Sequence, residues 1–361
     1  MPSSETAAAL HYWISVSLVP GIGPARYRAL LSAFGLPGNI LAASRSQLER
    51  VVSADIAAAI LANDRRESIE RTLAWAAQPN HHVLTLADTT YPPQLLEIAD
   101  PPPLLFVIGN VDLLSKPGLG VVGSRNASPQ GEANAQQFST AFSLAGLSII
   151  SGLALGIDAA AHRGGLSGPG STIAVMGTGP DSLYPKRNLS LAAEIAQRGA
   201  LVTEFPLGTV PLSGNFPRRN RLISGLSRGV LVVEAALASG SLITARQAAD
   251  QGREVFAIPG SIHSPMSRGC HALIKQGAKL ADSAQDVLEE LGMTLASNLS
   301  DPNKLGMENN LIQHMGYDAV DLTTLATRAH LTPEAVSAML LQLELEGKVA
   351  SLPGGRYQRL A

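Results

Sequence analysis

Four times in this chain an apolar, β-rich run is followed at once by small residues set beside hydroxyls or cations. In "VVGSRNASPQ" these are Gly123, Ser124 and Arg125; in "IISGLALGIDAAAHRGG", Ser151 and Gly152 open a Gly-spaced turn into a helix. "MGTGPDSLYPKRN" sets Gly177 and Gly179 before Lys186, Arg187 and Asn188, and "EAALASGSLITARQ" supplies Ser239, Gly240, Ser241 and Thr244. Glycine lets a ligand approach the backbone closely, arginine offers a planar fork of donors, and a helix start presents free N–H groups. The chemistry these types suit is anion binding. One such turn alone is an ordinary strand–helix loop; four together form an anion-binding rim. None is G-x-G-x-x-G or a P-loop, and no acid follows the first run as a ribose anchor would.

Positive charge is concentrated without any acid at 215–229, "NFPRRNRLISGLSRG", where Arg218, Arg219, Arg221 and Arg228 occur. The whole chain carries a formal net charge of −2, so this is a local patch and not part of a basic coat. On a helix, Leu222, Ile223 and Leu226 pack inward and Arg218 and Arg219 point to water, while Arg221 and Arg228 fall near the apolar stripe. Arginines held against a sheet suit bidentate phosphate contacts. Near the N-terminus, "LVPGIGPARYRALLSAFG" sets the turn Gly21-Ile22-Gly23 ahead of a helix carrying Arg26 and Arg28. That is the shape of a helix-hairpin-helix contact to a phosphate backbone, or of a plain turn between two helices.

Catalysis by a nucleophile, base and acid needs Ser or Cys near His and Asp. Asp158 and His162 stand at i, i+4 on an expected helix, and His263, Cys270 and His271 follow downstream. The Asp–His pair lacks a third ligand at metal spacing and reads as a helix-surface pair. Cys270, inside a helical pattern in "RGCHALIKQGA", reads as a small buried hydrophobe. No catalytic constellation, metal site or cofactor is expected.

The elements that must position these turns are legible. "LGVVG", "LSIIS", "TIAVMG", "ALVTEF", "GVLVVEA" and "EVFAIPG" alternate with helix-like stretches, as βαβ units with a sheet covered on both faces require. Residues 79–292 are therefore expected to form an α/β, Rossmann-like, doubly wound and mostly parallel sheet, with ligand-binding turns at the strand ends. Residues 1–78 read as short helices, 293–308 as a linker, and 309–361 as three helices and a hairpin with Pro-Gly-Gly at its tip, a winged helix. Thr332 and Pro333 give its third helix a sound start. From 306 to 361, six acids (Glu308, Asp318, Asp321, Glu334, Glu344, Glu346) face four cations (Arg328, Lys348, Arg356, Arg359), which argues against strong duplex binding by this segment.

Of the 361 residues 45% are apolar, enough for real cores, and 16% are charged. A single cysteine rules out a disulfide framework, "MPSSETAAALHYW" lacks the pattern of a signal peptide, and no apolar run reaches membrane-helix length. A soluble, cytoplasmic protein is expected.

In the order "GVVGSRNAS", "IISGLALGIDAAAHRGGL", "TIAVMGTGPDSLYPKRN", "NFPRRNRLISGLSRGVLVVEA", "SGSLITARQAADQGREVFAIPG" and "GCHALIKQGAKL", the segments over 118–292 resemble the DprA (Smf) family of DNA-processing proteins. The flanking regions are similar to that family's sterile-alpha-motif-like or helix-hairpin-helix N-terminus and winged-helix C-terminus. The resemblance implies a non-catalytic protein that binds and protects single-stranded DNA, loads RecA during natural transformation, and dimerises through its Rossmann-like domain. By that similarity Arg125 and Lys186 fall on DNA-contact positions, with Ser124, Ser151 and Asn188 beside them. The motif matched by Asn215, Phe216, Arg218, Arg219, Asn220 and Arg221 is the family's most characteristic one. A different class competes with this reading: a nucleotide phosphoribohydrolase using "VVEAALASGSLITA" as its phosphate turn and Glu234 as catalyst. That class resembles P-G-G-x-G-T followed by Glu, and the Gly-Gly pair is absent here.

Overall fold

The computed structural model describes residues 4–62, 65–293, 310–329 and 331–360; the expected linker lies, apart from Met293, outside them. The six apolar runs all form strands: β3 (Gly118–Val122), β4 (Ser148–Ser151), β5 (Thr172–Val175), β6 (Ala200–Thr203), β7 (Gly229–Val232) and β8 (Glu254–Ala257). They pair in parallel in the order β6-β5-β4-β3-β7-β8. The chain thus runs outward from β3 in one direction and then restarts beside it with β7, which puts the topological switch point between β3 and β7. Their register aligns Leu119 with Gly229 and Val122 with Val232, so the two carboxyl ends finish level.

Three strands extend the sheet beyond the alternating runs. β2 (Leu104–Gly109) pairs antiparallel with β6, β1 (His81–Thr85) pairs antiparallel with β2, and the two-residue β9 (Lys279–Leu280) adds to β8. The nine-stranded sheet is covered on both faces. Val122, Ile150, Val175, Val230 and Val232 pack with Leu222 and Ile223 of the Asn215–Gly225 helix, with Leu226 just past its end, and with Leu242, Ala245 and Ala248 of the Ser241–Asp250 helix. Their alternate neighbours Leu119, Val121, Ile149 and Leu231 meet Phe142, Ile157, Ala161 and Leu288 on the other face. Burial of both sets explains why these strands read as unbroken apolar runs.

The N-terminal helices hold their own core, where Trp13 and Tyr27 stack at 5.6 Å, and this core reaches Leu104 on β2. At the C-terminus, helices Asn310–Met315, Leu322–Ala329 and Pro333–Leu345 bury Val336, Leu340 and Leu343 beneath a hairpin of β11 (Val349–Leu352) and β12 (Arg356–Arg359). Strand β10 (Val320–Asp321) joins β12, completing a winged helix, and the Thr332 hydroxyl accepts from Ala335 N at 3.3 Å as an N-cap does. Gly354 and Gly355, at φ +85° and +69°, turn the hairpin tip. Among the described residues no helix is long and apolar enough to cross a membrane.

Candidate nucleic-acid interface

At the switch point the β3 and β7 turns diverge and leave a cleft of about 850 Å³. Gly123, Ser124, Arg125 and Asn126 form one wall; Ala236, Ala238, Ser239, Gly240, Ser241 and Thr244 form another. Phe216, Arg219, Asn220 and Ile223 of the Asn215–Gly225 helix close the third side. The β3 turn is pinned at its backbone: Ser124 N donates to Glu234 O at 2.8 Å and Ile157 N donates to Ser124 O at 3.1 Å. A side chain at Gly123 would meet Ile157 at 2.6 Å and Glu234 O at 2.9 Å, so the glycine is demanded by packing of the two turns. The Ser124 hydroxyl accepts from Asn126 N, and the Ser239 and Ser241 hydroxyls lie 2.7 Å apart at the start of the Ser241–Asp250 helix. A helix start and a cation on facing walls make the cleft suited to an anion.

The arginine stretch divides by what each side chain meets. Arg219 does not point to water: it is 3% exposed, and its Nη1 donates to Gly152 O at 2.6 Å and to Val175 O. Carbonyls at the ends of β4 and β5 have run out of strand partners, and a guanidinium one turn beyond Phe216 reaches both. Burial lowers its pKa to about 10. Arg221 packs against the apolar stripe as expected, yet on the side away from the cleft, with Nη2 on Glu204 Oε2 at 2.6 Å and Nη1 on Asp100 O at 2.8 Å. Arg218 is half exposed, donates to the same Glu204 oxygen at 2.9 Å and lies over the Phe205 ring. Arg228 reaches Leu291 O.

Arg125 is exposed at the cleft mouth, with its guanidinium 5.6 Å from the Phe216 ring centre. Tyr184, 45% exposed, sets its ring 5.7 Å from Phe216 and so adds a second aromatic surface that sequence reading missed. Its signal was an aromatic two residues before Lys186, in the turn that follows β5. Lys186 is exposed in the short Lys186–Asn188 turn. Asn215 is half buried at the start of its helix, with Nδ2 enclosed. Ser151 and Asn188 are buried: the Ser151 hydroxyl donates to Val121 O at 2.6 Å, and Asn188 Nδ2 donates to Leu153 O and Ala154 O.

Asp158 and His162 are not a helix-surface pair; they are 7% and 0% exposed. Their helix packs flat between sheet and loop, so both turn toward backbone groups the loop leaves open. Asp158 Oδ2 accepts from Gly152 N and Ala154 N, and burial raises its carboxyl pKa although Arg219 opposes this. His162 Nε2 accepts from Leu153 N at 3.2 Å while its Nδ1 lies 2.7 Å from Thr172 Oγ1. Burial and the nearby Arg219 lower the imidazole pKa to about 3, so it is neutral. Cys270 is fully buried against Val232 O and Val233 O, its thiol pushed up to about 12. His271 is bonded to Gly260 O, and His263 is exposed. No group of three His, Cys, Asp or Glu is placed to hold a metal among the described residues.

Glu234 does not line the cleft. Its carboxylate accepts from Ser128 N at 2.9 Å and Ser128 Oγ at 2.6 Å, at the start of the Pro129–Leu144 helix. The Ile22–Pro24 turn borders a separate hollow of about 140 Å³ shared with Glu204 and Arg218, and Arg28 donates to Ala99 O. Gly21 of that turn is exposed, and the Glu204 carboxylate beside the hollow is paired with Arg218 and Arg221.

The fold and the cleft define the class: a doubly wound, Rossmann-like protein with a ligand-suited crevice at its switch point, joined to a winged helix. The chain belongs to the DprA family. Residues 82–292 match the family described as DNA recombination-mediator protein A, and residues 296–355 match the DprA winged helix domain. The chain is 46% identical over 306 residues to protein Smf of Escherichia coli K12, covering 82% of each chain. To the DNA processing protein DprA of Streptococcus pneumoniae it is 50% identical over 206 residues, 57% of this chain and 73% of that one. The X-ray structure of the S. pneumoniae protein superposes with a TM-score of 0.69 at 38% identity, over 78% of this chain and 97% of that one. A Helicobacter pylori DNA processing protein A, whose structure is described as showing a single-stranded DNA binding mode, superposes with a TM-score of 0.53 at 30% identity, over 58% of this chain and 95% of that one.

Proposed function

We propose that the protein is a single-stranded DNA-binding recombination mediator. The observation that carries this reading is the lip of the cleft, where Arg125 lies over Phe216 and Tyr184 stands beside it. Cations track a phosphate backbone, and aromatic faces stack unpaired bases at about 1–3 kcal/mol per base. A duplex keeps its bases stacked inside and offers nothing to the aromatic surfaces. The H. pylori relative and the family match support the same ligand.

In this reading Arg125 and Lys186 meet phosphates, Phe216 and Tyr184 meet bases, and Ser239, Ser241 and Asn220 complete the wall. The protein then protects incoming strands and passes them to RecA in the cytoplasm during natural transformation, as a dimer through its α/β body. It performs no chemical step on the DNA: Glu234, the acid that a nucleotide-hydrolysing relative would use, is held by Ser128.

Fluorescence anisotropy with a labelled oligothymidylate and with a duplex of equal length tests the reading. The single strand is expected to bind at least tenfold tighter. Equal or tighter binding of the duplex overturns it, as does steady release of base or phosphate from nucleotides that disappears in Glu234→Ala.

A further inference from the structure

Among the described residues, three consecutive residues in the turn after β4 find no backbone partner for any of their polar groups. Gly152, Leu153 and Ala154 carry three N–H and three C=O groups, and every one of them meets a buried side chain. Asp158 takes the N–H groups of Gly152 and Ala154 at 3.1 and 3.3 Å, and His162 Nε2 takes that of Leu153 at 3.2 Å. Arg219 holds the Gly152 carbonyl at 2.6 Å, and Asn188 Nδ2 bridges the carbonyls of Leu153 and Ala154 at 2.9 and 3.1 Å. The four side chains are 0 to 7% exposed.

The held segment is one that would not keep its shape unaided. Leu153 lies at φ +59°, the left-handed region that disfavours a branched residue, and its side chain is buried. Its neighbours carry the consequence to the cleft. Ala154 lines the main cleft and, with Gly152, Leu155 and Arg219, walls a second hollow of about 70 Å³ beneath Arg125, Tyr184 and Phe216. Gly156 at φ +71° lies hard against the carbonyls of Ser124 and Arg125, where no side chain fits.

We infer that Asp158, His162, Asn188 and Arg219 are positioning residues that clamp Gly152–Ala154 before the ligand arrives, and thereby set where Arg125 and Phe216 present their faces to a strand. The inference rests on the single-strand reading of the cleft. It assigns Asn188 and Arg219 a role other than direct phosphate contact, and gives Asp158 and His162 one that their spacing on a helix did not suggest. Ordering such a turn in advance removes the entropy of arranging it on binding.

His162 provides the discriminating variants. Glutamine sets an amide oxygen where Nε2 accepts from Leu153; asparagine keeps a donor toward Thr172 and leaves the Leu153 N–H bare. In the full chain, His162→Asn and Asn188→Ala are expected to bind labelled oligothymidylate at least tenfold more weakly, and His162→Gln several-fold tighter than His162→Asn. A role confined to stability would leave the affinities of the folded variants equal to wild type, and that result overturns the clamp. Hydrogen exchange of the unliganded wild-type chain covers the case of variants that do not fold. Amides of 152–154 are expected to exchange as slowly as those of β4, and exchange as fast as an open loop overturns the clamp. Arg125→Ala separates the two readings. If it binds like wild type, the site reading fails; if it binds weakly while the clamp variants do not, only the clamp fails.

Discussion

A Cβ placed on Gly152 would meet the guanidinium nitrogens of Arg219 at 2.6 Å, so the glycine after β4 and the arginine on the Asn215–Gly225 helix fit only as a pair. Gly152→Ala must push the guanidinium off two carbonyls in a buried site. Overpacking of this kind costs about 1–3 kcal/mol. Thermal unfolding is expected to show that loss together with weakened single-strand binding. Unchanged melting and binding would mean that the close approach is relieved without displacing Arg219.

Arg125 and Lys186 are exposed, and neither is held by an ion pair among the described residues. Log affinity for a single strand falls with log salt by about 0.7 for each phosphate neutralised. Arg125→Ala and Lys186→Ala are each expected to flatten that slope by about this amount, measured by anisotropy across a salt series. An unaltered slope in both removes them as phosphate contacts.

Arg221 gives the opposite expectation. Its guanidinium sits on the buried Glu204 carboxylate, which the half-exposed Arg218 also reaches, and lies 3.1 Å from the Asp100 carboxylate. Breaking a buried pair costs about 3–5 kcal/mol, which Arg218 offsets in part. Arg221→Met should therefore lower the melting temperature by several degrees and leave the salt slope unchanged. Normal stability with a flatter slope would return Arg221 to the DNA-contact set.

The buried His162 links stability to acid. Its pKa is lowered from 6.5 to about 3 on folding, so the unfolded chain takes up a proton that the folded chain refuses. The stability it contributes is full above about pH 6.5 and is lost as pH falls toward 3, by about 1.4 kcal/mol per unit at most. Asp158, with its pKa raised, acts in the opposite sense. Comparing wild type with His162→Gln cancels that term. The advantage of wild type over the variant should shrink between pH 7 and pH 4 in chemical denaturation; a constant difference would show that the imidazole does not titrate on unfolding.

Removal of the winged helix should leave the primary contact in place. The third helix of that segment carries Glu344, and Glu346 follows it, which gives no counterion-release gain on DNA. Its tail touches the body through Gln130 Nε2 on Leu360 O at 3.0 Å. Truncation after residue 297 is expected to keep single-strand affinity within a few-fold. A hundredfold loss, about 2.7 kcal/mol, in a folded truncated chain would place the main anion site elsewhere.

Local pattern alone determined much of this protein. Six apolar runs separated by helices specified the parallel sheet, because strands buried on both faces must be apolar throughout. The Gly–Ser–Arg and Ser–Gly–Ser turns specified where a ligand would lie, because strand ends in such a sheet leave backbone groups open. Thr332, Pro333 and the Gly354–Gly355 tip specified the winged helix through caps and turns that act within a few residues.

Tertiary structure decided what each polar side chain does. Helical periodicity gives the angle at which Arg218, Arg219 and Arg221 leave the Asn215–Gly225 helix, and not what each angle meets. One meets a carboxylate at position 204 and open water, one meets carbonyls 67 and 44 residues away, and one meets the same carboxylate from within the core. The partners that bury Asp158, His162 and Asn188 are likewise unpaired backbone groups of a single turn, and such groups are open only once β4 has ended against its neighbours. The antiparallel β1 and β2 were hidden for a related reason: neither lies in the strand–helix alternation, and β2 takes its place by pairing with β6, about a hundred residues on, with β1 added at its far edge.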